Sequence, residues 1–212
     1  MKKQIMKTGT TTLGIVCKDG LVLAADMRVT MGDYIGNKRF DKVYNITDNM
    51  AITTAGTVSD VQLILKIVKA QINLKRMRLK KEPTVKEVAN LISMIVYENI
   101  RKFSTIPGIT GFLLGGKDDT GFYLYELAPD GAVLKYDDYV TDGSGMVMAV
   151  GVLDTLYKKN MSIDDGIKLA IKSINASIQR DTNSGEGINV FTITKDGARK
   201  VLTKELDTTI TS

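Results

Sequence analysis

Short apolar runs, separated by turn residues, predict several pairs of β-strands. Turn dipeptides such as Asp19-Gly20 and Asp196-Gly197 stand between two such runs and are typical of hairpins. Several runs are apolar without alternation, which is typical of strands that are covered on both faces. The predicted strands are 12–17, 21–26, 42–46, 50–55, 110–116, 121–127, 132–138, 188–194 and 198–203.

Four segments show the apolar spacing of amphipathic helices. The first spans 58–79, the second opens at Thr84 with Glu87 completing a capping box, the third spans roughly 144–159, and the fourth opens at Ser162. These helices and strands predict an α+β protein, a four-layer α/β/β/α sandwich with helices outside two stacked sheets. The predicted buried stripe of the fourth helix is Ile163, Ile167, Ala170, Ile171, Ile174 and Ile178.

The hairpins also predict which residues lie near each other. If the first turn is an Asp-Gly loop, residue numbers in paired positions sum to about 39, which places Thr10 near Arg28 and Asp26 close by. If residues 47–49 form the second turn, the sum is about 96 and Lys42 lies opposite Thr54. The spacing leaves open whether the two hairpin ends meet, because a slip of one residue inverts the faces.

The composition excludes several kinds of site. The 212 residues include no histidine, which excludes Ser-His-Asp and Cys-His mechanisms and histidine zinc sites. The single cysteine, Cys17, excludes an internal disulfide, and we expect it to be a small buried core residue. Its free thiol favours a cytoplasmic location. No apolar run approaches the roughly 18 residues of a membrane span, and no metal or cofactor is expected.

The net charge of +5 is concentrated near the end of the first predicted helix. Such a cluster resembles a nucleic-acid footprint, but no aromatic residues interleave to stack on bases. Cations at a helix C-terminus are also favoured by the helix dipole. We therefore expect a solvated helix end, or a contact with an acidic neighbouring subunit, and no nucleic-acid binding. The cluster consists of Lys75, Arg76, Arg78, Lys80 and Lys81.

Several segments together resemble a known family. They are GTTTLGIVCKDGLVLAADMRVT, FDKVY, TTAGTVSDVQ, TDGSGMVMAVGVLD and QRDTNSGEGINV, in this order. The chain is similar, from Gly9 to about Thr203, to proteasome β subunits of the archaeal type. These are N-terminal-nucleophile hydrolases, and their fold is the α/β/β/α sandwich.

The resemblance implies that residues 1–9 are a leader propeptide and that 10–212 form a single peptidase domain. Autocatalytic cleavage between Gly9 and Thr10 would leave the Thr10 hydroxyl as nucleophile and its α-amino group as base. A free α-amino group has a pKa near ~8, whereas an amide nitrogen cannot accept a proton, so the leader keeps a zymogen inactive. We expect glycine at position 9 because a tight, strained turn there needs a residue without Cβ.

The resemblance implies roles for further residues. Lys42 matches the catalytic lysine, Asp26 the carboxylate that pairs with it, and Gly56 the N–H donor of an oxyanion hole. Without the family, they would be a solvent-facing edge lysine, a strand-end aspartate and a strand-to-helix glycine. The polar cluster implied around the α-amino group, whose members alone would be ordinary cap or turn residues, is Ser144, Asp181 and Ser184.

Substrate contacts follow from the same resemblance. Thr30 would bind the main chain of an extended peptide. The residues implied to line the specificity pocket include no acid or base, so we expect cleavage after apolar residues. One departure from the family is Asn189, where aspartate is common. The implied pocket residues are Val29, Tyr44, Thr54 and Val58.

The resemblance thus implies a threonine endopeptidase, the catalytic β subunit of a 20S proteasome core particle that degrades unfolded polypeptides in the cytoplasm. Its partners would be α subunits and other β subunits in stacked seven-membered rings, with a regulatory ATPase ring bound through the α ring. A non-catalytic structural β-type subunit, a small-amide hydrolase and the bacterial two-ring ATP-dependent peptidase are alternatives. The coexistence of Thr10, Asp26 and Lys42 favours a catalytic subunit.

Overall fold

The computed structural model describes residues 9–207. Residues 1–8 of the expected leader, and 208–212, lie outside the described residues. Twelve strands are present in this part of the chain. They are β1 Thr11–Cys17, β2 Gly20–Asp26, β3 Val29–Met31, β4 Tyr34–Asn37, β5 Val43–Thr47, β6 Met50–Gly56, β7 Thr110–Asp118, β8 Gly121–Leu127, β9 Val133–Tyr136, β10 Tyr139–Gly143, β11 Gly187–Thr194 and β12 Gly197–Glu205.

The strands form two antiparallel five-stranded sheets and one small hairpin. The first sheet has the order β10-β1-β2-β11-β12 and the second has the order β5-β6-β7-β8-β9, while β3 pairs with β4. Strands β3, β4 and β10 are not among the strands predicted from the sequence. Strand β10 pairs with β1 and extends the first sheet at the side where Thr10 enters it.

Four helices lie in the described part of the chain: α1 Val58–Leu79, α2 Val85–Arg101, α3 Met146–Leu156 and α4 Ile163–Arg180. The predicted start of α2 is confirmed, since Thr84 accepts from the Glu87 N–H and Glu87 reaches back to the Thr84 N–H. Ser162 likewise caps α4 by accepting from the N–H of Asp165. Helix α3 is shorter than predicted because the chain enters it only after the turn at Gly145.

Three apolar clusters separate the four layers and confirm the α/β/β/α sandwich. Helices α1 and α2 pack on the second sheet around Ile92 and Phe112. Helices α3 and α4 pack on the first sheet around Leu153 and Ile174, in the same cluster as the buried Cys17. The sheets pack against each other through Leu23, Leu113, Leu124 and Phe191. None of the helices among residues 9–207 is long and apolar enough to cross a membrane.

The predicted stripe of α4 is only partly correct. Ala170 and Ile174 are buried, but the other isoleucines of the stripe lie at the flank of the core. Small and polar residues share the buried face instead, among them Ser177, whose hydroxyl donates to the Gly145 carbonyl at 2.8 Å. The small side chains let α4 lie close to the start of α3.

The register of the first hairpin differs from the prediction. Cys17 pairs with Gly20, so the loop residues are Lys18 and Asp19 rather than Asp19 and Gly20. Gly20 has a φ of +154°, and a Cβ there would lie 2.1 Å from the carbonyl oxygen of Ile193 on the neighbouring strand. Both the positive φ and the close packing against the neighbouring strand therefore explain this glycine.

The register of the second hairpin is confirmed. Val43 lies opposite Thr53, and the Thr54 N–H donates to the Lys42 carbonyl at 2.9 Å. Lys42 therefore stands beside the open end of β6, where Gly56 leads into α1.

Candidate active site

A shallow cleft, partly open to solvent, lies where the open ends of the two hairpins meet. Of the residues expected to bind substrate, Val29, Thr30, Thr54 and Val58 line it, but Tyr44 does not. The Tyr44 ring packs against the core under α1, and its hydroxyl donates to the Asp41 carbonyl. The complete lining is Gly9, Thr10, Val29, Thr30, Phe40, Lys42, Thr54, Ala55, Gly56, Val58 and Val61.

Thr10 is held by its main chain at the edge of this cleft and is only 5% exposed. Its N–H donates to Ser144 Oγ at 3.1 Å, and its carbonyl accepts from the Gly145 N–H at 3.4 Å. At Gly143, which has a φ of +98°, a Cβ would lie 2.1 Å from the Thr10 carbonyl oxygen. The Gly-Ser-Gly segment between β10 and α3 therefore requires glycine for close approach to Thr10.

The Ser144 hydroxyl connects the Thr10 nitrogen to the Asp181 carboxylate. Ser144 Oγ and Ser184 Oγ both donate to Asp181 Oδ2 at 2.6 Å. Ser184 Oγ also lies 2.7 Å from the hydroxyl of Thr11, the second of the three threonines. Because the Ser144 proton points to Asp181, its oxygen is free to accept from the Thr10 nitrogen. The structure thus brings together the three residues expected around that nitrogen.

Lys42 and Asp26 form an ion pair with 2.7 Å between Nζ and Oδ1, and their side chains are 3% and 0% exposed. The Asp26 carboxylate accepts three further bonds: Oδ1 from the Thr11 N–H at 2.9 Å, and Oδ2 from the N–H groups of Arg28 and Gly185 at 3.0 Å each. Burial lowers the pKa of Lys42, and the neighbouring Asp26 opposes that change. The alternative of a solvent-facing lysine is wrong.

The Arg28 side chain binds the segment that follows α4, and the sequence alone did not indicate this role. Its guanidinium donates to Glu186 Oε1 at 3.2 and 3.0 Å and to the Thr182 carbonyl at 2.9 Å. A Cβ on Gly185 would lie 2.5 Å from the guanidinium, so the segment packs directly on Arg28. This packing holds the Gly185 N–H against Asp26.

Gly56 ends β6 with a φ of +109°, and a Cβ there would lie 2.1 Å from the Ile109 carbonyl oxygen. The backbone therefore requires glycine at this position whether or not its N–H takes part in a reaction. The next residue, Thr57, is the N-cap of α1, so the positive end of the helix dipole lies beside the cleft. This end of the helix favours negative charge.

Gly9 is crowded by the side chains of two other segments. A Cβ at Gly9 would lie 1.8 Å from Asn183 Cβ and 2.8 Å from Ser144 Oγ. The tight turn expected at this position stays a prediction. The Gly9 N–H donates to Thr30 Oγ1 at 3.3 Å. Crowding by neighbouring side chains thus explains this glycine.

The departure at Asn189 has a local explanation. Asn189 is fully buried, and its amide nitrogen donates to Asp41 Oδ1 at 2.8 Å. Its amide oxygen accepts from Thr203 Oγ1 at 2.7 Å. An aspartate would place a second carboxylate against Asp41, whereas asparagine satisfies both partners.

Comparisons with known proteins agree with this architecture. A family model for the proteasome subunit matches residues 6–193. The chain is 42% identical to "Proteasome subunit beta" of Ferroglobus placidus over 199 residues, covering 94% of this chain and 93% of the relative. It is 41% identical to that of Archaeoglobus profundus over 204 residues, 96% and 93% respectively. It is also 41% identical to "Proteasome subunit beta 2" of Pyrococcus furiosus over 199 residues, 94% of each chain.

Proposed function

The chain belongs to the proteasome subunit family, and from this premise we propose that it is a catalytic β subunit, a threonine endopeptidase whose nucleophile is Thr10. The observation that carries the proposal is that Lys42, which lines the cleft together with Thr10, forms a buried ion pair with Asp26. Burying two charges costs desolvation energy that an apolar pair would avoid. A structural subunit gains little from such a pair, whereas a nucleophile gains a nearby positive charge.

Release of the leader would begin with Thr10 itself. Thr10 Oγ1 adds to the Gly9 carbonyl carbon, the bond from that carbon to the Thr10 nitrogen breaks, and the nitrogen takes up the hydroxyl proton. Gly9 is then an ester on Oγ1, and water hydrolyses it to a Gly9 carboxylate and the free Thr10 hydroxyl. Residues 1–9 would be the leader and 10–212 the peptidase domain.

Cleavage would reverse the role of the Thr10 nitrogen. As an amide it donates to Ser144 Oγ. As a free amine, with a pKa near ~8, it can accept the proton of its own hydroxyl during attack on a substrate. Ser144 and Ser184 both donate to Asp181, and Ser144 would then orient the amine.

The charges of the site would stabilise the reacting oxygens. Lys42 would stabilise the Thr10 alkoxide, and Asp26 fixes the ammonium in position through its own four hydrogen bonds. The Gly56 N–H, at the positive end of α1, would stabilise the oxyanion of the tetrahedral intermediate. The nucleophile and base belong to one residue, so the mechanism uses no cofactor.

The cleft indicates the substrate class. Apart from Lys42, which is paired with Asp26, its lining within the described residues is apolar or hydroxylic. The sequence analysis missed Phe40, Ala55 and Val61, all of which add apolar surface. We therefore expect cleavage after apolar residues, with Thr30 holding the peptide main chain. Peptides ending in leucine, arginine and glutamate test this, and a preference for either charged residue would contradict it.

Family members assemble into a core particle with other subunits. For this chain we propose seven-membered β rings stacked between α rings, served by an ATPase ring in the cytoplasm. The outward faces of α1 and α2 carry exposed apolar residues of the kind that subunit contacts bury, such as Leu63, Met77 and Met94.

The deciding experiment is the intact mass of the chain after co-expression with an α subunit of the family. A catalytic subunit loses nine residues and the particle hydrolyses peptides, whereas the Thr10→Ala variant does neither. Thr12→Ala is the matched control, because it removes a neighbouring hydroxyl that faces the Asp142 carbonyl rather than the cleft. Assembled particles of unchanged mass would instead establish a structural β-type subunit.

A further inference from the structure

We propose that Asn183 is a specificity-determining residue for leader release, because its side chain admits only glycine at position 9. This inference rests on the proposed self-processing. The observation is a direct steric one: a Cβ on Gly9 would lie 1.8 Å from Asn183 Cβ and 2.5 Å from Asn183 Cγ, both closer than the third neighbour, Ser144 Oγ at 2.8 Å. Carbon atoms in contact are normally about 3.5–4.0 Å apart.

The atoms that exclude a side chain at Gly9 belong to other side chains. At Gly56 and Gly143 a Cβ would lie 2.1 Å from a backbone carbonyl oxygen, whereas at Gly9 the nearest atoms are side-chain atoms of Asn183 and Ser144. An alanine at position 9 is therefore unacceptable because of the side chains that it contacts. A requirement of this kind can be relieved by changing the neighbour.

Asn183 cannot easily move aside. Its N–H donates to Asp181 Oδ1 at 3.2 Å, and the following residue, Ser184, bonds both the Asp181 carboxylate and the Thr11 hydroxyl. Gly185 then donates to Asp26. A shift of Asn183 would thus disturb the residues that hold the Thr10 nitrogen and Lys42.

Gly9 cannot easily move away either. Its N–H donates to Thr30 Oγ1, and the next peptide N–H donates to Ser144. The residue is therefore held between Thr30 and Asn183. A methyl group at position 9 would displace the carbonyl carbon that Thr10 Oγ1 attacks, and a misplacement of about 1 Å lowers a reaction rate by about 100-fold.

The test compares leader release in five chains co-expressed with an α subunit: the unaltered chain, Gly9→Ala, Asn183→Gly, and Gly9→Ala combined with Asn183→Gly or with Asn183→Ala. The rate is followed by intact mass. We expect Gly9→Ala to slow release by about 100-fold and Asn183→Gly alone to leave it nearly unchanged. The Asn183→Gly double variant regains at least ~10-fold, whereas the Asn183→Ala double variant does not, since alanine keeps the clashing Cβ.

The outcomes separate this inference from the proposed function. If the unaltered chain assembles without losing its leader, the proposed function fails and the inference fails with it. If the unaltered chain is processed but Gly9→Ala is processed equally fast, the inference alone is overturned. It is also overturned if the two double variants behave alike, or if Asn183→Gly alone abolishes release.

A second measurement does not depend on assembly or processing. In full chains carrying Thr10→Ala, amide hydrogen exchange at residues 9–11 reports whether the junction is seated, because these N–H groups donate to Thr30, Ser144 and Asp26. Gly9→Ala should lose that protection, and adding Asn183→Gly, but not Asn183→Ala, should restore it. Unchanged protection in Gly9→Ala would overturn the inference.

Discussion

Replacing Asp26 by asparagine leaves Lys42 buried without a counter-charge. The substitution keeps the size of the side chain but turns one of its two oxygen atoms into an NH₂ group. The carboxylate accepts from two donors at each oxygen, Lys42 and Thr11 at Oδ1 and Arg28 and Gly185 at Oδ2. In either orientation of the amide, two of the four donors therefore face its NH₂ group, which cannot accept a hydrogen bond.

The expected loss of stability is large. Two orphaned donors cost about 1–3 kcal/mol each, and a buried ion pair that loses one partner costs about 3–5 kcal/mol in total. We therefore expect Asp26→Asn to lower the free energy of unfolding by about 3–5 kcal/mol at pH 7. Adding Lys42→Met should recover part of this loss, because it removes the uncompensated charge.

The pH dependence has a definite sign. Burial already lowers the pKa of Lys42, and removing Asp26 removes the interaction that opposes this change. Between the lowered pKa of the folded variant and the ordinary lysine pKa of about 10.4, the folded chain binds fewer protons than the unfolded chain, so its stability rises with pH in that window. The deficit of Asp26→Asn should shrink between pH 7 and pH 10.

Guanidinium unfolding of the full chain measures these free energies, with Thr10→Ala present in every variant so that the leader stays attached. Glu205→Gln, which removes a carboxylate from an exposed pair with Arg39, is the control and should cost less than about 1 kcal/mol. A deficit below about 1 kcal/mol for Asp26→Asn, or one that does not change with pH, would refute the reasoning.

Three further predictions concern other parts of the fold. Asn189→Asp should cost about 1–3 kcal/mol at pH 7, because it sets a buried carboxylate against Asp41. Burial and Asp41 would raise the pKa of the new carboxyl group, so this cost should fall as the pH falls through that pKa. Urea unfolding at pH 5 and pH 7 measures the cost at each pH. Equal costs would contradict the predicted repulsion between the two carboxylates. Cys17, whose pKa burial raises to about 12, should resist iodoacetamide at pH 8 in the folded chain and react in urea, as intact mass will show. Thr84→Ala should cost about 1 kcal/mol in urea because it removes the capping box with Glu87, and an unchanged unfolding midpoint would contradict this.

Elements with strong local signals could be predicted from the sequence. Helix α1 begins and ends at the predicted residues, and strand β8 has the predicted bounds, because periodic burial and turn residues mark both ends. Strand β10 has no such signal: its five residues are mostly polar, and pairing with β1 stabilises it. The first turn was misplaced because Gly20 is required by contact with Ile193, which no local pattern reveals.

In the candidate site, too, features with a local signal could be predicted and contacts between distant segments could not. The confirmed second hairpin placed Lys42 beside the end of β6, but its contact with Asp26 joins two different sheets and is invisible to spacing arguments. Only the family resemblance paired the two residues. The Arg28–Glu186 contact and the crowding of Gly9 by Asn183 were missed for the same reason, since they depend on how a segment after α4 folds back.

The two sheets each supply part of this cleft. Thr10 immediately precedes β1 in the first sheet, where β2 ends at Asp26, while Lys42 precedes β5 and Gly56 ends β6 in the second. Packing between the sheets is tight, since a Cβ on Gly14 would lie 2.7 Å from Leu124 Cδ1. The cleft therefore lies at the interface between the two sheets, and residues of both sheets line it. A displacement of one sheet relative to the other, transmitted through the outer helices, would change the distance between Thr10 and Lys42 without altering either residue.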